Sequence, residues 1–166
     1  MPNIRHELII WKDAPRIYDA LTTQEGLAAW WTPDAKVTPV RDSLARFHFG
    51  PDYFKEMKIT ELEASRRVKW TCLKGAAEWV GTTVAFELFP GDRERLLRSH
   101  REASDQISQG QGDSATLVVL SHDDWREYTP MFAECNYTWG RFLTSLKLLC
   151  ETGQGQPWPH QHRTQR

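Results

Sequence analysis

His122 has the best context of any side chain here that could move a proton. It shares strand parity with Thr116, Val118 and Leu120. An imidazole among apolar neighbours, with an ordinary pKa near 6.5, can orient a ligand carbonyl or act as acid or base. The same placement equally suits a ring satisfied by a nearby hydroxyl or backbone group, so His122 is a candidate and no residue is assigned to catalysis outright. His48 falls on the Leu44, Arg46 and His48 side of its strand, read as the solvent side. His160 and His162 stand in a polar tail, solvated and weak as metal ligands. Asp123 and Asp124 are adjacent rather than convergent, which turn chemistry explains. Cys72, Cys135 and Cys150 have no metal-ligand spacing and cannot all pair, so they read as reduced thiols in or near the core. We find no serine elbow, phosphate-cradling glycine loop, helical pair of metal-binding histidines or dinucleotide fingerprint. No cofactor and no metal is therefore assigned, and the reading leans away from an enzyme while leaving catalysis by cavity shape open.

The sequence contains eight tryptophans, a residue that serves equally in cores, interfaces and ligand pockets. Trp30 and Trp31 are neighbours on one helix and point about 100° apart, so at most one can line a pocket; Trp31 is taken as that one. Trp70 and Trp139 fall on the apolar faces of a strand and a long helix, where each is either a pocket wall or a plug. Trp79 has parity opposite to Val80, Val84 and Phe86 and is expected outside any cavity.

The elements that must position these residues follow from periodicity. Residues 4–11 alternate as a strand. Asp13 caps a short helix carrying Ile17, Ala20 and Leu21, and Thr22 with Glu25 has the spacing of a capping box for a second helix that ends before Pro33. Strand signals then recur at 36–40, 44–49, 54–62, 67–73, 79–89 and 115–122 with short connections, an antiparallel meander. Residues 90–114 interrupt it with turn residues at both ends and a charged middle, including Arg93, Arg95, Arg98 and Arg101. That insertion reads as a loop or short surface helix, with a lid or docking arm as its functional alternative. Thr129-Pro130 opens the clearest amphipathic helix, through Cys135, Trp139, Phe142, Leu146 and Cys150 to Gly153. The Gln-, Pro- and His-rich residues 154–166 read as a disordered tail.

The 166 residues, 40% hydrophobic and 26% charged with a net charge of −1, fit one globular domain and give no global electrostatic case for nucleic acid. No apolar run is long enough to insert in a membrane. The N-terminus runs straight into a strand pattern rather than a secretory signal, and with the unpaired cysteines this places the expected location in the cytoplasm.

The segments 20–31 (ALTTQEGLAAWW) and 78–82 (EWVGT), then His122, Trp139 and Ser145-Leu146-Lys147, occur in an order that resembles the START-like (SRPBCC) superfamily. The bacterial branch related to the activator of Hsp90 ATPase and to polyketide cyclase-like proteins is the most similar, over roughly residues 3–153. The resemblance implies an α+β helix-grip fold over 1–153, with a curved antiparallel sheet of about six to seven strands around the C-terminal helix and two short helices after the first strand. Such a sheet leaves space under the helix, and the residues expected to line it are Trp31, Trp70, Val84, Phe86, Val118, Leu120, His122, Cys135 and Trp139. The implied function is binding of a small hydrophobic or amphipathic molecule there. A cyclase or dehydratase using the same cavity, with His122 as acid or base, is one alternative, and a chaperone-contacting interaction domain is another. Relatives join the last two strands by a tight turn, so the insertion at 90–114 departs from the pattern.

Overall fold

The computed structural model describes residues 1–164. Its sheet has seven strands in the order β1-β7-β6-β5-β4-β3-β2, every pairing antiparallel. They are β1 (Ile4–Ile10), β2 (Asp34–Lys36), β3 (Leu44–His48), β4 (Phe54–Glu63), β5 (Arg67–Lys74), β6 (Thr83–Asp92) and β7 (Ser114–Asp123). After β1 the chain crosses from one sheet edge to the other through α1 (Ala14–Thr22) and α2 (Gln24–Trp30), then meanders back to close on β1. The last helix, α5 (Pro130–Thr152), lies in the concave face, as the helix-grip expectation required. Among the described residues no helix is long and apolar enough to cross a membrane.

Local chemistry sets the bounds of α5. The Thr129 hydroxyl accepts the Phe132 N–H at 3.1 Å, Pro130 occupies the first turn, and Gly153 ends the helix at φ 88°. Its buried stripe of Trp139, Phe142, Leu143, Leu146 and Leu149 joins inward residues of the sheet in one core. The cap of α2 sits one residue later than its spacing suggested. Thr23 accepts the Gly26 N–H at 3.1 Å, while the Thr22 hydroxyl turns back to the Tyr18 carbonyl at 2.8 Å and so finishes α1.

Two further boundaries differ from expectation. β6 starts at Thr83, leaving Trp79 in the preceding turn, and it runs on through Pro90-Gly91 to Asp92. Proline is tolerated there because β5 ends opposite Glu87, so Pro90 has a ladder partner only on the β7 side. The 93–109 stretch is α3 (Arg93–Ser99), a single 3-10 turn at Arg101–Ala103, and α4 (Ser104–Gln109). Leu96, Ala103 and Ile107 pack with Ile9, Ala115 and Leu117 in a second small core on the outer sheet face. Arg93 lies 4.6 Å over the Trp11 ring and donates to the Ile107 and Gly110 carbonyls at 2.5 and 2.7 Å. The insertion is thus anchored on the face away from α5, where it cannot serve as a lid over the concave side.

The tail expected to be disordered is instead a strap across α5 over residues 154–164; residues 165 and 166 lie outside the described residues. The Gln156 N–H donates to Ser145 Oγ at 2.7 Å and the Trp158 N–H to the Trp31 carbonyl at 2.8 Å. Arg141 holds the Gln161 and Arg163 carbonyls at 3.2 and 3.3 Å. Backbone hydrogen bonds and one aromatic anchor outweigh the polar composition.

Candidate functional site

Tryptophan fills most of the space expected under α5. The Trp31 ring lies nearly parallel to Trp70, Trp139 and Trp30, with centroids 5.7, 5.5 and 6.0 Å away. Phe47 is tilted against it at 4.5 Å, and Phe86 meets Trp70 edge-on at 5.6 Å. Such offset and edge-on contacts add to the area each ring buries. Trp70 is a plug, and so is the deeper part of Trp139.

A cavity of about 230 Å³ survives at one end, between the β3–β4 turn, the β5–β6 turn, α5 and the strap. This lies below the roughly 300–1,000 Å³ usual for small-molecule sites, so an occupant would be of one-ring size. Its walls are mostly aromatic: Trp31, Phe49, Trp79, Trp139, Phe142 and Trp158.

The one buried cation in this wall is Lys55, 5% exposed. It stands on β4 with the inward parity of Met57 and Ile59, and a bulge at Glu56/Met57 follows it. Gly75 makes room beside it, since a Cβ there would meet the Phe54 carbonyl at 2.7 Å. Lys55 Nζ sits 4.1, 4.5 and 4.2 Å from the ring centroids of Phe49, Tyr53 and Trp79. Among the described residues it makes no hydrogen bond and no salt bridge. Each desolvated cation–π contact contributes about 2 kcal/mol, which accounts for an ammonium with no carboxylate partner.

Burial pushes the Lys55 amine down from 10.5 to about 8, opposed by its neighbours Cys135 and Cys72. The groups around it stay neutral, because burial raises the Tyr53 hydroxyl to about 12, the Cys72 thiol to about 11, and the Cys135 thiol as well. Glu134 and His162 stand at the rim. Because the unfolded chain binds the Lys55 proton at higher pH than the folded one, stability falls as pH drops from about 10.5 to about 8 and is level below that. Lys55→Met keeps the volume and removes the charge. It is expected to abolish the fall in stability between about pH 10.5 and about 8. Urea unfolding across that range checks this, and an unchanged profile in the variant contradicts it.

Of the nine residues expected to line a cavity, Trp31, Cys135 and Trp139 do so. Trp70, Val84, Phe86, Val118 and Leu120 are core, all 1% exposed or less. His122 is core too, and both its nitrogens are engaged. Trp139 Nε1–H donates to Nδ1 at 3.0 Å, which leaves the proton on Nε2 to reach Thr82 Oγ1 at 2.9 Å, and that hydroxyl donates onward to the Trp79 carbonyl at 2.6 Å. Burial, then the Lys55 charge, lowers its pKa to about 3. A neutral ring with no free nitrogen orients Trp139 and cannot serve as acid or base, so the cyclase alternative loses its proton carrier.

Sequence reasoning passed over Lys55, Phe49, Tyr53, Phe142 and the strap, and it placed Trp79 outside the cavity. Trp79 belongs to the turn rather than to β6, so strand parity did not apply; its Nε1–H donates to Cys135 Sγ at 3.3 Å, turning its ring over Lys55. The strap closes the site with Trp158, Gln161 and His162, the last stacked on Tyr137 at 5.5 Å. Gly155 lets it lie flat, since a Cβ would overlap the Ala29 carbonyl and come within 3.1 Å of Ser145. Gly155→Ala is therefore expected to lift the strap, shift tryptophan emission to the red and speed proteolysis after residue 153. An unchanged spectrum and digestion pattern would contradict that.

Other concavities carry less. A groove of about 740 Å³ on the outer face runs between the ends of β5 and β6 and α3. It is larger but lined mainly by charged side chains, and the charge of its central Arg67 is already spent on Glu61 and Glu87 at 2.6 and 2.8 Å. Glu7, His100 and Glu102 bring three donor atoms within 4.8 Å on the outer face, as exposed groups often do without an ion.

Comparison with known proteins gives a consistent result. The family model for Activator of Hsp90 ATPase homolog 1-like protein matches residues 13–151. The solution structure of the Aha1 dimer from Colwellia psychrerythraea is similar over 93% of this chain and 100% of that chain, at 32% identity and a TM-score of 0.72. A crystal structure of a Mesorhizobium loti protein covers 89% of this chain and 96% of its own at 13% identity and a TM-score of 0.66. CalU16 from Micromonospora echinospora covers 90% and 74% at 16% identity and a TM-score of 0.62. These last two share the fold. No curated protein matches the chain.

Proposed function

The chain belongs to the Activator of Hsp90 ATPase homolog 1-like family, a branch of the START-like superfamily, and we propose that it binds a small amphipathic molecule in the aromatic cavity at the mouth of the helix grip. The observation that carries this reading is the cleft of about 230 Å³ walled by indole and phenyl rings. Rings held in place by packing form a site before the ligand arrives, which limits the ordering that binding requires. The strap supplies a wall that can lift for entry. The occupant is amphipathic rather than purely apolar because Lys55, Thr138 and Gln161 interrupt the rings. The three free cysteines suit a reducing compartment, and a cytoplasmic location is part of the proposal.

Titration with the neutral probe 2-phenylethanol, followed by tryptophan emission, tests the reading. We expect saturable quenching that weakens in Gly155→Ala. A linear response identical in both proteins would remove the cavity as a binding site.

A second reading, contact with an Hsp90-type chaperone, is supported by the likeness to an Aha1 over nearly the whole chain. Its test is the ATPase rate of a bacterial Hsp90 with the protein added; an unmoved rate at saturating protein removes it.

A further inference from the structure

We propose that Lys55 selects an anionic head group, so that the cavity takes a small aromatic or branched aliphatic carboxylate in preference to its neutral analogues. This rests on the cavity being a binding site and adds the chemistry of what it binds.

The geometry supplies three supports. Lys55 is 5% exposed and lines the cavity, and among the described residues its amine has neither hydrogen bond nor ion pair. Rings on three sides stabilise its charge, but a ring face is a diffuse acceptor, so the directional N–H capacity of the ammonium remains for an occupant. The volume matches one ring with a short acid side arm.

The remaining wall groups agree. Burial keeps the Tyr53 hydroxyl and the Cys72 and Cys135 thiols protonated, so none of these three neighbours is an anion that competes with a carboxylate. Glu134, the one carboxylate on the wall among the described residues, is exposed at the rim and makes no salt bridge with Lys55. Gln161 lines the cavity, and among the described residues its Oε1 is buried without a partner. That oxygen can accept from a hydroxyl at the other end of the molecule, which favours a hydroxylated aromatic acid.

The sulfur atoms and the ammonium offer no redox or group-transfer step, and none is needed. The amine acts as a fixed counter-charge, and a hydrogen bond to a charged group in a dry site discriminates strongly against an uncharged competitor.

The test compares 4-hydroxyphenylacetate, phenylacetate and neutral 2-phenylethanol on wild type and on Lys55→Met at pH 7, by tryptophan emission and by calorimetry. On wild type we expect both acids to bind about tenfold or more tighter than the alcohol. On Lys55→Met we expect that preference to vanish while the alcohol still binds. Retention of the alcohol by the variant shows that its cavity is intact. Equal affinity for acid and alcohol on wild type, or an acid preference that survives in Lys55→Met, overturns the inference but leaves the cavity reading standing. Binding of none of the three to wild type overturns both.

Discussion

Trp31→Ala is expected to remove about 3–5 kcal/mol of stability, the range for truncating a buried tryptophan, and to lower the melting temperature by roughly 10 °C for a domain of this size. The effect is large because Trp31 does two things together. Its ring lies against Trp70, Trp139, Trp30, Phe47 and Phe49, so removing it strips contacts from five other rings. It further forms the floor of the cavity, separating the 230 Å³ at the mouth from the packed interior. The truncated protein should therefore contain a larger, apolar void, and millimolar indole should restore much of the lost stability to the variant and none to wild type. Thermal and urea unfolding with and without indole measure this. A loss under about 1 kcal/mol, or no rescue by indole, would mean that the indole stack does not hold the grip together.

The second large effect is acid sensitivity through His122. Burial lowers its pKa from 6.5 to about 3. The depressed value means that the unfolded chain takes the proton first. The stabilising contribution is complete above pH 6.5 and is lost as pH falls toward 3, up to about 4–5 kcal/mol at the bottom of that window. A charged ring could no longer accept from Trp139 Nε1–H at Nδ1, so protonation breaks the link between β7 and α5. Groups facing the ring are Thr82, Trp79, Trp125 and the Lys55 ammonium; none of them titrates between pH 3 and 6.5, so the difference in slope between wild type and a His122 variant reports the ring itself. His122→Gln should be less stable than wild type at pH 7 and should show a flatter stability profile from pH 6.5 down to 4. Equal slopes in the two proteins would show that the ring is not held neutral.

The order of elements was legible because each has an undisturbed period: alternation in β3, β5 and β7, and the spacing of Trp139, Phe142, Leu146 and Leu149 in α5, bounded by Thr129-Pro130 and Gly153. Parity also told which way Trp70 and Phe86 point. It could not tell whether they line a space or fill it, because that depends on how four indoles from α2, β5 and α5 stack across the fold. The same limit applies to His122, whose partners Thr82 and Trp139 are 40 and 17 residues away. Lys55 did leave a signal. It shares the inward parity of Met57 and Ile59, and a cation on the buried face of a strand is unusual enough to mark a site. Trp79 misled because the periodic run was carried back through a turn that Gly81, at φ 89°, interrupts. The strap was hidden by its composition. A count of Gln, Pro and His has no way to register one anchoring Trp158 or a glycine that fits under Ala29 and Ser145.

The eight tryptophans make the central claim directly measurable. Each contributes one indole N–H signal to a proton–nitrogen correlation spectrum, and together they sample the cavity, the core and the outer face. On addition of phenylacetate, the signals of Trp31, Trp79, Trp139 and Trp158 should move together along one saturable curve, while Trp11, on the outer face, stays still. Movement led by Trp11, or no movement in the four cavity indoles at saturating probe, would contradict a binding site at the mouth of the grip.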